Sequence, residues 1–352
     1  MLSFPTKLGL SKLEGKLNLN KLKAYIDSKN IMVDSIPSSP NGEIKVAATS
    51  VPLLNFSCVE EFVDFIESFV SEAKEKTAQI VSFPELTGLL PLGCLGAFDE
   101  IINIIFSREN SESVSRHDII NLSEVFDFIG ESLFEFYYNL FSLLATRYKI
   151  FIHAGTTIVP SRSGLFNRSF FFDDMGRCVC EQGKINPGRT EQSFNLLNSD
   201  SLDVFELPFG KSATIIGSDQ FYFECFKTAR SLGAKIIFVP CGPNFNENDY
   251  KARRGAGVYS SLLELSCVKS CLVGEAGGMK FSDRSGIYLP DGSSFLSKSF
   301  DTKEVVVGVV PTKKLSPAVP EIYIGDKNLS LYEKNLSRFK EKEEPFIKEK
   351  DF

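Results

Sequence analysis

Residues 43–51 read EIKVAATSV, residues 59–76 read VEEFVDFIESFVSEAKEK, and residues 79–86 read QIVSFPEL. The first run is β-branched and apolar and predicts a strand. In the second, Phe62, Phe65, Ile66, Phe69 and Val70 recur every three or four residues, the period of an amphipathic helix. The third is a short apolar run that stops at Pro84, a second strand. Strand, helix and strand in that order make a β-α-β unit, so the class is α/β.

Working outward, Ile150 to Val159, Ser169 to Phe172, Ser201 to Leu207 and Ala213 to Ile216 read as further strands, with Asp173-Asp174-Met175-Gly176 as a turn. Phe221 to Leu232 reads as a helix closed by Gly233, and Lys235 to Val239 (KIIFV) as a buried parallel strand ending at Pro240. Leu262 to Leu272 has helix-like spacing, and strands are expected near Leu272 to Ala276, Gly286 to Leu289 and Val305 to Val310. Residues 87–149 read as helix-rich: Ile101 to Ile105 is apolar, Arg108 to His117 is a polar loop, and Ile119 to Tyr148 is periodic and rich in Phe. Ahead of the unit, Leu10, Leu13 and Leu17 share a helix face, and Pro37 to Gly42 closes that leader as a loop. The expected organisation is a leader over 1–42, a main domain over 43–312 with a helical enlargement over 88–148, and an extension with a charged tail over 313–352.

Length and composition narrow the function classes. The chain has 352 residues, 43% hydrophobic and 24% charged, which excludes a wholly disordered chain. With 39 Lys and Arg against 45 Asp and Glu the net charge is −6, so a nucleic-acid partner is not expected. The most apolar long stretch, Phe134 to Ala145, is interrupted by Glu135 and Asn139 and is too short to span a bilayer. The first residues lack the apolar core of a secretion signal, so a soluble, cytoplasmic protein with no membrane partner is expected. The two histidines, His117 and His153, leave little room for a His-rich metal site or a Ser-His-Asp triad, and no metal or other cofactor is expected. The eight cysteines are Cys58, Cys94, Cys178, Cys180, Cys225, Cys241, Cys267 and Cys271. They lack zinc-ribbon spacing and read as reduced, mostly buried thiols.

Three positions follow predicted strands, where the loops of α/β folds build their sites. Glu85 stands directly after the strand and Pro84; burial there would raise its pKa and suit it to act as a general base. Lys184 precedes a Pro-Gly loop and could steady an oxyanion. Ile216-Gly217-Ser218-Asp219 is an elbow between strand and helix, the geometry that projects a nucleophile above a sheet.

Together these segments resemble the nitrilase, or carbon–nitrogen hydrolase, superfamily, whose members use a Glu, a Lys and a Cys in that order. The glutamate motif is similar to Phe83-Pro84-Glu85-Leu86, the lysine motif to the region around Lys184, and the preceding strand-turn segment to Asn167 through Gly176. The cysteine motif is similar to Ile216-Gly217-Ser218-Asp219, then Phe223-Glu224, then Ala229 to Ala234 and Phe238-Val239-Pro240. The closing segment is similar to Phe281 through Ile287 and Pro290-Asp291-Gly292. The resemblance covers roughly residues 44–310 and implies a four-layer α-β-β-α sandwich, a small-molecule ligand or substrate, and a homodimer or larger oligomer. It places a second family glutamate at Glu191, seven residues after Lys184.

One position departs from the family. The nucleophilic cysteine falls on Gly217, which carries no side chain. Ser218 is next in sequence at the pocket wall, but its side chain leaves the turn in another direction and a serine needs a stronger base. Cys241, after Pro240, is the substitute candidate. The implied function is a catalytically impaired pseudoenzyme that binds a small amide, acid or amine; the alternative is an active amidohydrolase using Cys241 or an activated water.

Overall fold

Strand β1 (Glu43–Pro52), helix α3 (Val59–Glu75) and strand β2 (Ile80–Ser82) form the expected β-α-β unit, with β2 parallel to β1. The computed structural model describes residues 4–31, 33–36, 42–95, 116–188, 191–192, 195–242, 255–276 and 279–312, together with 330, 331, 334 and 337. Residues 1–313 make one compact unit; 314–352 make a second, and most of the charged tail lies outside the described residues. Ile101 to Ile105 and most of the 108–117 loop lie outside them as well.

Nine strands follow one hydrogen-bonded path, β5-β4-β3-β2-β1-β9-β8-β7-β6. The further strands are β3 (Phe151–Pro160), β4 (Leu165–Phe172), β5 (Cys178–Gly183), β6 (Val204–Leu207), β7 (Gly210–Thr214), β8 (Ile236–Cys241) and β9 (Ser266–Ala276). Off this path, β10 (Met279–Phe281) and β11 (Gly286–Tyr288) pair with β9, β12 (Ser294–Leu296) with β11, and β13 (Glu304–Pro311) with β1. The path folds back so that its halves face each other. His153 of β3 stacks on Phe238 of β8 at 5.1 Å between ring centroids, and Phe171 of β4 meets Phe205 of β6 at 5.1 Å.

Three apolar cores separate the layers. One holds Val46, Ala48, Ile80 and Phe171 from the first half of the path with Phe205, Ile236, Phe238 and Val268 from the second. Outside the first half, α1 (Phe4–Glu14), α2 (Leu19–Ser28), α3 and the long α4 (Arg116–Tyr148) cover Val81, Ile152 and Ala154. Outside the second half, α5 (Phe223–Ser231) and α6 (Gly255–Leu263) cover Ala213, Ile237, Val239 and Cys267. Central strands are therefore apolar on both faces, as KIIFV requires. The result is the expected α-β-β-α sandwich.

Leu10, Leu13 and Leu17 are buried in the first helical layer beside Phe62 and Phe136, so the leader packs on the main domain. The described part of the 88–148 enlargement is a 3-10 segment (Thr87–Cys94) and α4, whose Leu140, Phe141 and Leu144 are core residues. The segment from Leu262 to Leu272 is not one helix. Helix α6 stops at Leu263, Glu264 turns with φ 52°, and β9 begins at Ser266. The helix-like spacing of LLELSCVKSCL is misleading because Lys269 and Ser270 are buried polar residues of a strand. Lys269 pairs with Asp283 at 2.8 Å, and Ser270 Oγ donates to Ser82 O at 2.8 Å.

Hydroxyls stitch the seam where the two halves meet. Strands β1 and β9 pair only over Ser50–Pro52 and Cys271–Val273. At the preceding residue Thr49 N donates to Ser270 Oγ (3.2 Å), Thr49 Oγ1 to Ser82 O (2.8 Å), and Ser285 Oγ to Thr49 O (3.0 Å). These side chains satisfy buried backbone groups that would otherwise cost about 1–3 kcal/mol each.

Candidate functional site

Four strands of the sandwich end at one place. Glu85 follows β2, Lys184 follows β5, Gly217 follows β7, and Gly242 follows β8. The loop carrying Glu85 is pinned from below by a bulge in β3. Gly155 has φ +73°, and a Cβ there would run into Pro84 O, so only glycine permits this approach. Thr156 Oγ1 accepts from Leu86 N at 2.8 Å, and Thr87 Oγ1 donates to Pro84 O at 2.7 Å. Leu86 itself is left-handed, with φ 62°, a strain of about 1–2 kcal/mol beside a functional candidate.

Glu85 and Lys184 are each 4% exposed. Lys184 Nζ lies 2.8 Å from Glu85 Oε1 and 2.8 Å from both carboxylate oxygens of Glu191. Asn167 Nδ2 also donates to Glu85 Oε1 (2.8 Å), and Gly242 N donates to Glu85 Oε2 (2.9 Å). Gly188 N donates to Glu191 Oε2 at 2.7 Å, which holds the second glutamate in place. Burial raises the Glu85 pKa; Lys184 opposes that rise, and the Glu191 charge adds to it. Burial works against the Lys184 charge, but the Glu191 and Glu85 carboxylates outweigh it and hold the ammonium above the usual lysine range. Glu191 already balances Lys184, so an ionised Glu85 would be the surplus charge of the trio, in line with the raised direction of its pKa.

Gly217 opens a 3-10 turn (Gly217–Phe221) with φ +53°. A Cβ added there would lie 2.7 Å from both Cδ and Oε1 of Glu85 and closer still to Oε2. Ser218 faces the other way, with Oγ donating to Asn186 O at 3.1 Å. Asp219 ties the elbow to the loop after Lys184, accepting from Ile185 N (2.8 Å), Asn186 N (2.7 Å) and Asn186 Nδ2 (2.9 Å).

Cys241 is buried at the end of β8 on the face covered by α5 and α6. Gln220 Nε2 approaches its Sγ at 3.1 Å, the thiol donates to Val239 O at 3.6 Å, and Cys271 is its neighbour on β9. Among the described residues, the polar partners of Glu85 are Asn167, Lys184 and Gly242, and none is a thiol. The structure thus brings Glu85, Lys184, Glu191 and Gly217 together and leaves the side chains of Cys241 and Ser218 outside. Among the described residues no cluster of three or more His, Cys, Asp and Glu could hold a metal ion, and no helix is long and apolar enough to cross a membrane.

The family profile described as Carbon-nitrogen hydrolase matches residues 45–317. The chain belongs to the carbon–nitrogen hydrolase family. This family member is 23% identical over 295 residues to the probable hydrolase YhcX of Bacillus subtilis (strain 168), an alignment that takes in 82% of the chain and 50% of the relative. The chain therefore spans about half the length of that curated relative. Among solved structures it resembles the amidase from Nesterenkonia sp. AN1. A glutamine-for-glutamate variant of that enzyme, with the acetamide moiety of fluoroacetamide added at its active-site cysteine, superposes with TM-score 0.63 at 14% identity, over 86% of this chain and 99% of the amidase. A cysteine-to-alanine variant gives 0.62 at 15% identity, over 85% and 98%. At that identity the likeness speaks for the fold.

Three contributors to the site carry little signal in the sequence. Asn167 is visible there only as the start of a motif segment, Asp219 only as a register marker, and the Gly242 N–H is a backbone group without a sequence signature.

Proposed function

We propose that this carbon–nitrogen hydrolase family member is a pseudoenzyme: it keeps the base Glu85, the cation Lys184 and the second glutamate Glu191, carries Gly217 where the family has its cysteine nucleophile, and holds a small amide, acid or amine. The observation that carries this reading is the direction of the missing side chain. A Cβ at position 217 would run into the Glu85 carboxylate, 2.7 Å from Oε1 and Cδ, so the base stands against the place where the family's nucleophile belongs. In this chain a hydrogen atom occupies that direction. Removing the covalent nucleophile of a well-studied protease triad costs on the order of 10⁶ in rate. Base and cation alone direct water only slowly at a carbonyl carbon. Self-association as a homodimer or larger oligomer and a cytoplasmic location belong to the same proposal and rest on the resemblance alone.

The second reading is an active amidohydrolase that uses Cys241 or an activated water. The observation in its favour is that Cys241 directly precedes Gly242, whose N–H donates to Glu85. Ammonia release from a panel of small amides, nitriles and carbamoyl compounds separates the two. The pseudoenzyme gives no release above buffer, with or without Cys241→Ala. Release abolished by Cys241→Ala or by Glu85→Gln overturns it in favour of the second reading.

A further inference from the structure

Two of the thiols stand side by side on neighbouring strands. Strands β8 and β9 run parallel, in a register that sets Cys241 beside Cys271. Both are reduced, and both belong to the core beneath α5 and α6, so their side chains leave the same face of the sheet. Neighbouring strands lie about 4.7–4.9 Å apart, which falls within the roughly 4.4–6.8 Å between Cα atoms that a disulfide spans. The other strand thiols have no such partner among the described residues. Cys267 is set beside Ile237 in the same register, and Cys178 and Cys180 pack on different cores.

Polar groups gather around this pair inside an otherwise apolar layer. Gln220 Nε2 donates to Cys241 Sγ at 3.1 Å, while Gln220 Oε1 is buried without a hydrogen-bond partner among the described residues. Lys269, two residues before Cys271 on β9, pairs with Asp283 and acts electrostatically on both sulfurs. A neighbouring cation favours the thiolate, the form that attacks. The two sulfurs are unlike. Cys241 is 3% exposed and ends its strand, with a glycine after it; Cys271 is 0% exposed and lies mid-strand. Burial, helped by a hydrogen bond to Cys241, pushes the Cys271 thiol up. Cys241 is thus the sulfur that a small oxidant from solvent meets first.

We propose that Cys241 and Cys271 form a reversible disulfide pair, closed by hydrogen peroxide or an organic hydroperoxide, with Cys241 as the attacking thiol and Cys271 as the resolving one. In the first step the Cys241 sulfur takes the terminal peroxide oxygen. An S–O bond forms, the O–O bond breaks, and water or an alcohol leaves with the Cys241 proton. In the second step the Cys271 sulfur attacks the Cys241 sulfur. The S–S bond forms, the S–O bond breaks, and water leaves with the Cys271 proton. Each sulfur gives up one electron and the peroxide gains both. The bond ties the end of β8 to β9 and closes the chain from 241 to 271, α6 included. It also draws Cys241 away from Gln220, a residue of the 3-10 turn that Gly217 opens. The inference stands beside the pseudoenzyme reading and does not rest on it.

The test treats the folded full chain with hydrogen peroxide, blocks the remaining thiols with iodoacetamide in denaturant, and maps the peptides by mass spectrometry. Trypsin separates the sulfurs, because Lys235, Lys251, Arg254 and Lys269 flank Cys241, Cys267 and Cys271. The expected product is peptide 236–251 joined to peptide 270–280, parted again by dithiothreitol. In Cys271→Ser the sulfenic acid at Cys241 persists and is captured by dimedone. In Cys241→Ala, Cys271 stays reduced for as long as the unaltered chain takes to become half oxidised. The map of the unaltered chain decides the question even where a variant fails to fold. Oxidation confined to the half-exposed Cys58, Cys94, Cys178 and Cys180 would overturn the proposal. So would Cys241 running on to a sulfinic acid with Cys271 still alkylated, or a joined peptide that forms only in urea. Ammonia release abolished by Cys241→Ala would instead remove the pseudoenzyme reading and leave a mapped Cys241–Cys271 bond standing, so the two failures are distinguishable.

Discussion

A side chain placed at position 217 tests how tightly the Glu85 carboxylate is held. Gly217→Ala adds one methyl group in a left-handed conformation, φ +53°, which costs about 1–2 kcal/mol for an L-residue. The same methyl would sit 2.7 Å from Glu85 Cδ, so the carboxylate must leave its place. It then gives up contacts to Lys184, Asn167 and Gly242, and losing even one hydrogen bond to a charged group costs about 1.5–3 kcal/mol. The expected destabilisation is about 2.5–5 kcal/mol, the sum of the two effects. In a Glu85→Ala background only the backbone cost remains, about 1–2 kcal/mol. The double variant is therefore more stable than the single variants predict, by a coupling of about 1.5–3 kcal/mol. Urea denaturation of the four proteins, compared at a common m-value, measures this coupling. Additivity within about 0.5 kcal/mol would refute the reasoning, because it would mean that Glu85 does not occupy the path of the side chain. Gly217→Cys meets the same obstacle, so reinstating the thiol alone is not expected to produce turnover.

Two further outcomes follow from buried charge. His153 accepts or donates to Ser82 Oγ at 2.9 Å and Ser169 Oγ at 2.9 Å, and burial lowers its pKa from 6.5 to about 3. The unfolded chain binds a proton there below pH 6.5 while the folded chain does not, so the stability present above 6.5 is lost as pH falls toward 3. A His153→Gln variant should show a flatter stability profile across that window in acid denaturation, and an unchanged slope would count against the buried neutral imidazole. Lys184→Met leaves Glu85 and Glu191 without their cation and should cost about 3–5 kcal/mol at neutral pH. Glu85 then titrates still higher, so the loss shrinks as pH falls through its folded value, read from urea midpoints at pH 7 and 5; a loss that grows in acid would contradict it.

The α/β class is legible because its signals are local. The spacing of Phe62, Ile66 and Phe69 is a matter of neighbours on one helix, and all three are buried where the period puts them. The boundary at Glu264 is not legible, since the partner that makes Lys269 a core residue, Asp283, lies 14 residues further along the chain. At the candidate site, the residues that follow strands are readable from Pro84, the Pro-Gly loop and the 216–219 elbow. Their partners are not. Asn167 reaches Glu85 across 82 residues and Gly242 across 157, and in the latter only the backbone takes part.

The corner that joins Glu85 and Lys184 to Gly217 and Gly242 draws two strands from each half of the sandwich, next to the seam at Thr49 and Ser270. It works as a fastener as well as a site. A lineage that ceased to cleave anything here would still be penalised for losing the glutamate or the lysine, because either loss unbalances buried charge between the two halves. Position 217 would be held as well, because a side chain there meets the Glu85 carboxylate. Retention of Glu85 and Lys184 in such a chain would follow from folding alone, and would by itself carry no information about turnover.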